Sequence, residues 1–169
     1  MSEVFVEHLV KRKVGIYNWI LRTLALAAAM GSVFLFPYFG VFTLTIMFGI
    51  IYLCYYVFSS TSVEYEYSFL NGELTIDRIL GQRKRKHVAT FDLNQTELVA
   101  RTNSDDIISR TSGMRVADFS SGIKSDDLCS MIVNGKNGQI HVIFEPDEEM
   151  IRAMKYVRPS LVKIDGIKL

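Results

Sequence analysis

The sequence predicts a membrane-embedded α-helical hairpin followed by a mainly-β domain of about seven antiparallel strands and a C-terminal helix. Three observations predict it. Residues 23–63 are 41 consecutive positions without Asp, Glu, Lys or Arg, in a chain of 169 residues that is 22% charged. From Val63 onward, apolar and polar residues alternate between turn signals, which is the period of half-buried strands. After Pro146-Asp147 the apolar spacing lengthens to that of a helix.

The charge-free window is long enough for two crossings. At ~1.5 Å per residue it would span roughly 60 Å as one helix, about twice the ~30 Å hydrocarbon thickness. Phe36-Pro37-Tyr38-Phe39-Gly40 interrupts it near the middle, because Pro37 lacks an N–H and disfavours helix just before itself. The expected spans are residues 16–36 and 38–58, joined by a very short apolar loop. The second is rich in residues that favour insertion, such as Phe42, Leu44, Ile46, Phe48 and Ile50. The first carries Arg22 near its end, where a long side chain reaches the headgroups. Tyr17, Trp19, Tyr52, Tyr55 and Tyr56 suit an aromatic belt at one interface.

Basic residues set the orientation. Lys11, Arg12, Lys13 and Arg22 flank the first span, Arg78 and Arg83-Lys84-Arg85-Lys86 follow the second, and the connecting loop has none. The positive-inside rule then places both termini in the cytoplasm of a multi-pass cell-membrane protein. Two other readings compete. Ala27-Ala28-Ala29 resembles a signal-peptide cleavage site, but Asn18 and Arg22 break the apolar region such a peptide needs. The window could also be a buried hairpin of a soluble protein. Residues 1–15 are expected as a cytoplasmic segment in which Val4, Phe5, Leu9 and Val10 allow a short interfacial amphipathic helix.

The expected β domain covers residues 62–158. Val63, Tyr65, Tyr67 and Phe69 alternate with Glu64, Glu66 and Ser68. Asn71-Gly72 follows, a pair that accepts the positive φ of a type I′ turn. Leu74, Ile76 and Ile79 pattern the return strand. Gly81-Gln82 and the four basic residues form a turn into residues 87–93, and residues 96–101 form a fourth strand. Ser104-Asp105-Asp106 reads as the cap of a helical turn, and residues 114–119 as a strand. Residues 129–133 and 139–144 flank a terminal hairpin, with His141 and Ile143 on its outer face. Asp147-Glu148-Glu149 opens a helix with Met150, Ile151, Met154 and Val157 on one face; Lys155 and Arg158 close it before Pro159. Residues 159–169 remain as a tail.

Seven strands and a capping helix behind a two-span hairpin resemble the pleckstrin-homology-like domains of small bacterial membrane proteins, an open barrel plugged by its C-terminal helix. The stretch from Tyr65 to Arg78, followed by Arg83-Lys84-Arg85-Lys86, is similar to the opening of those domains. Residues 3–13 resemble the start of an uncharacterised family with this layout. The resemblance implies scaffolding, assembly or ligand docking at the membrane, and it supplies no catalytic residues.

The residues themselves point the same way. Strand geometry should return the basic turn to the lipid headgroups, where each cation contributes about 1 kcal/mol toward an anionic leaflet. Arg83, Lys84, Arg85 and Lys86 are therefore the candidate lipid- or anion-binding residues. A solvated hairpin tip is the plain alternative. Residues 60–169 hold 15 basic and 16 acidic residues, which argues against a nucleic-acid face. Cys54 and Cys129 form no CxxC pair, so neither zinc nor a disulfide framework is expected. No catalytic residue, metal or cofactor is expected. His141, or the pair Asp126 and Asp127, would serve the rival reading, an enzyme acting on a membrane-associated substrate. Another rival is a subunit of a larger membrane complex whose free sheet edge accepts a strand. No ionisable residue lies deep in either span, which argues against a transporter. The expected partners are the bilayer and a protein, or a second copy of the chain.

Overall fold

The computed structural model describes residues 5–81, 84–135 and 138–164. Arg83, one of the four candidate basic residues, lies outside them. The chain divides into two compact units. One comprises Val14–Val63 and Ile79–Arg85; the other holds the β-rich remainder.

The helical unit runs α1 (Ile16–Gly31), a 3-10 turn (Ser32–Leu35), α2 (Phe36–Phe39) and α3 (Phe42–Thr61). Two segments are long and apolar enough to cross a membrane, Ile16–Phe39 with 24 residues and Phe42–Thr61 with 20. Only 6% of each apolar stretch is buried within the protein, which fits lipid-facing helices better than a soluble core. The expected break at Phe36-Pro37 moves to Gly40, whose φ of 53° reverses the chain. Pro37 falls in the first turn of α2, where an N–H has no helical partner to lose. The first segment therefore runs on to Phe39, and the second starts at Phe42 and reaches Thr61 rather than residue 58. The two helices pack through α1 and α3, with Cys54 Sγ donating to the Ala25 carbonyl at 3.2 Å.

The described residues form nine strands in two sheets. The first sheet has the order β1 (Phe5–Lys11), β2 (Val63–Leu70), β3 (Glu73–Leu80), β4 (Lys84–Asp92). The second contains β5 (Thr96–Arg101), β6 (Arg115–Asp118), β7 (Cys129–Gly135), β8 (Gly138–Phe144) and β9 (Val162–Lys163), in the order β6-β8-β7-β5-β9. Two short helices accompany them, α4 (Asp105–Arg110) and α5 (Glu148–Val157).

Four expectations change. Residues 5–11 form a strand, not an interfacial helix. Val6, His8 and Val10 face inward opposite Phe69, Tyr67 and Tyr65. Apolar residues 5, 6, 9 and 10 satisfy both periods, and only pairing with β2 decides between them. The strands number nine instead of seven and make two sheets rather than one barrel. Not all pairs are antiparallel, since β5–β9 and β6–β8 are parallel. Part of the supposed tail is β9, whose Val162 is buried against β5. The Asn71-Gly72 turn matches expectation, with φ values of 50° and 95°.

The core lies between the sheets and under α5. Tyr67, Phe69, Leu74, Ile76, Phe144, Met150 and Met154 are fully buried, and Tyr67 meets Phe144 edge-on at 6.1 Å. Asp147 Oδ1 accepts the Met150 N–H at 2.9 Å, capping α5. On the far side of the second sheet, Ile107 of α4 packs with Leu98, Ala100 and Ile132. Both faces of that sheet are covered, which is why β7 is buried from Cys129 to Val133.

Candidate membrane-interface site

The end of the helical unit concentrates the features expected at a headgroup boundary. α3 finishes in Ser59-Ser60-Thr61 and is capped by Ser62, hydroxyls that tolerate a wet interface. Arg22 on α1 reaches across to it. Its Nε donates to Thr61 Oγ1 at 2.8 Å and its Nη2 to Ser62 Oγ at 3.0 Å. The guanidinium also sits 5.0 Å from the centre of the Phe58 ring. Arg22 thus does more than snorkel: it ties the two helices together where both end.

Gly81, just after β3, packs onto the same place. The Gly81 N–H donates to the Ser62 carbonyl at 2.9 Å, with Gly81 at φ 56°. A Cβ at Gly81 would collide with the Ser59 hydroxyl and lie 2.7 Å from the Ser59 carbonyl oxygen. Only glycine lets the strand turn so close to the helix. The basic residues then follow, but not as a loop. Lys84, Arg85 and Lys86 are exposed and open β4, an edge strand of the first sheet, where charge discourages unwanted pairing. His87 accompanies them, with Nδ1 3.0 Å from Asp77 Oδ1.

The other basic residues proposed to set topology are engaged within the β-rich unit. Lys11 lies 3.7 Å from Glu64, and Arg12 donates to the Tyr65 hydroxyl at 2.8 Å. The Lys13 N–H donates to the Ser121 carbonyl at 2.7 Å.

The residues of the rival enzyme reading do not converge. His141 is buried, not an exposed strand residue; it pairs with Ile132 of β7, which packs with Ile107 of α4. Its Nε2 lies 2.8 Å from Ser130 Oγ, and Ser130 in turn donates to Thr102 Oγ1 at 3.0 Å. Burial lowers the pKa of His141, so the ring is neutral near pH 7. Ser130 is inaccessible and cannot attack a substrate. Histidine–carboxylate contacts occur at His87–Asp77 and at His8–Asp147, the latter at 3.5 Å, and neither involves His141, Asp126 or Asp127. Asp127 is 3.5 Å from Arg101. Among the described residues no group of three or more His, Cys, Asp or Glu is placed to hold a metal ion.

Two apolar helices followed by a two-sheet, mainly-β domain fit a two-span membrane protein. The chain belongs to the bacterial PH-like domain family, whose match covers residues 2–164. No curated protein and no solved structure matches it. PH-like domains are generally non-catalytic and often bind lipids or proteins.

Proposed function

We propose that the chain is a non-catalytic binding or scaffolding module, anchored in the cell membrane with both termini in the cytoplasm, whose basic strand start engages anionic headgroups. The observation that carries this reading is the 2.9 Å hydrogen bond from Gly81 to Ser62. It supports the reading because it ties the chain just ahead of the basic strand to the end of an apolar helix, and phosphates lie where such a helix leaves the hydrocarbon. Three described cations at ~1 kcal/mol each would supply roughly 3 kcal/mol before salt screening. Pairing of β1 with β2 supports the topology independently, because the segments before α1 and after α3 must lie on one side of the bilayer to share a ladder. The positive flanks favour the cytoplasmic side. The same anchoring holds the β-rich unit within reach of a protein partner or a second copy.

The test uses the full chain in phosphatidylcholine nanodiscs with and without phosphatidylglycerol. Anionic lipid should protect the backbone of residues 84–88 from hydrogen exchange. Raised salt, or Gln in place of Arg83, Lys84, Arg85 and Lys86, should abolish that gain. Equal protection in both lipids would overturn the reading.

A further inference from the structure

A cleft of about 680 Å³ opens between the end of β5 and the loop that precedes β7, lined by Thr102, Asn103, Lys124, Ser125, Asp126 and Leu128. Its walls are fixed in place. The Thr102 N–H donates to the Leu128 carbonyl at 2.9 Å, and the paired residues Arg101 and Cys129 continue the ladder behind it. Ser125 Oγ accepts the Asp127 N–H at 3.1 Å, which shapes the loop. Thr102 is also the outer end of the buried chain through Ser130 to His141, so its hydroxyl is positioned from inside the sheet. Beside it, Ser104 Oγ is buried with no hydrogen-bond partner among the described residues, although it precedes α4 where a serine ordinarily caps.

The charges around this cleft divide into two kinds. Arg101 is engaged with Asp127, Asp106 with Lys163, and Arg110 with Glu97. Lys124 and Asp126 line the cleft itself and make no ion pair or hydrogen bond, either with each other or with another described residue. A simple anion drawn to Lys124 would face the Asp126 carboxylate, and a simple cation drawn to Asp126 would face the Lys124 ammonium. A ligand carrying both charges satisfies both groups and leaves neither opposed. The hydroxyls of Thr102 and Ser125 and the Asn103 amide add neutral donors and acceptors.

We propose that this cleft binds a small zwitterion, with its anionic group on Lys124 and its primary ammonium on Asp126. The proposal does not depend on the basic strand or on its contact with lipid. O-Phosphoethanolamine is a suitable probe, titrated into the full chain in detergent micelles while amide signals are followed by NMR. Saturable shifts are expected at residues 102–104 and 124–128. Lys124→Gln and Asp126→Asn should each weaken binding about tenfold, the loss of one charge-assisted contact. Both residues are exposed, so an unchanged thermal midpoint will show that the variants fold. Glycerol 3-phosphate and choline, each with one of the two charges, should bind at least about tenfold more weakly than the probe. Competition by phosphatidylethanolamine in nanodiscs would identify a lipid source, and its absence a soluble one. Absence of saturable shifts, equal binding of glycerol 3-phosphate, or full affinity in either variant would overturn the proposal.

Discussion

Gly81 carries more constraint than its size suggests. It combines a left-handed φ of 56° with a carbonyl oxygen 2.7 Å from where a Cβ would stand. Gly81→Ala should cost at least ~2 kcal/mol, from backbone strain plus the displaced helix end, read as a lowered thermal midpoint in detergent. Cys129 is buried, and that burial pushes its thiol up to about 11. Alkylation of the folded chain at pH 8 should therefore leave Cys129 unmodified, whereas denaturant should expose it. His141 titrates in the opposite direction. Its folded pKa lies below the ordinary 6.5, so the unfolded chain binds the proton more readily. The stability it contributes is intact above pH ~6.5 and is lost as the pH falls below that value. His141→Gln should flatten this acid limb in a pH series of thermal midpoints. None of these properties is readable from residue type alone. His141 alternates as an outward residue in β8, and only packing from beyond its own strand buries it.

At the scale of elements, the sequence was most legible where one period is unambiguous. β2, β3 and their Asn71-Gly72 turn follow directly from alternation, and α5 follows from its acidic start and its apolar face. Asp147→Ala should remove the Met150 cap and the nearby His8 contact, costing about 1 kcal/mol of stability in chemical denaturation. Legibility failed where a partner distant in sequence decides the conformation. β1 is ambiguous by itself and becomes a strand through residues 64–70. β9 is too short for any period to register, and its parallel partner lies more than sixty residues earlier. The basic run was expected as a turn because Lys and Arg favour exposed positions. Exposure on an edge strand satisfies that preference equally well. The candidate lipid site was visible as a charge cluster, whereas the Arg22–Ser62–Gly81 arrangement that supports it depends on tertiary contacts, from Arg22 to Ser62 forty residues on and from Ser62 to Gly81. Of the polar cleft, the sequence singles out only Asp126, as a candidate of the rival enzyme reading.

For the whole molecule, the β1–β2 ladder and the two apolar segments together make a topological statement. A cysteine placed at Tyr38 should react with a membrane-impermeant reagent added outside intact cells, and one placed at Glu73 should react only after the inner face is opened. The reverse pattern would overturn the orientation. Buried Cys129 and Cys54 within α3 leave little background for such labelling.

That ladder also fixes an order of assembly. β1 cannot find its neighbour until both greasy segments have been made and the chain has reached β2. Residues 5–11 must wait with their backbone bare while more than fifty further residues are made. The first sheet is therefore completed late, and its edge strand β1 is the part of that sheet that waits longest for a neighbour.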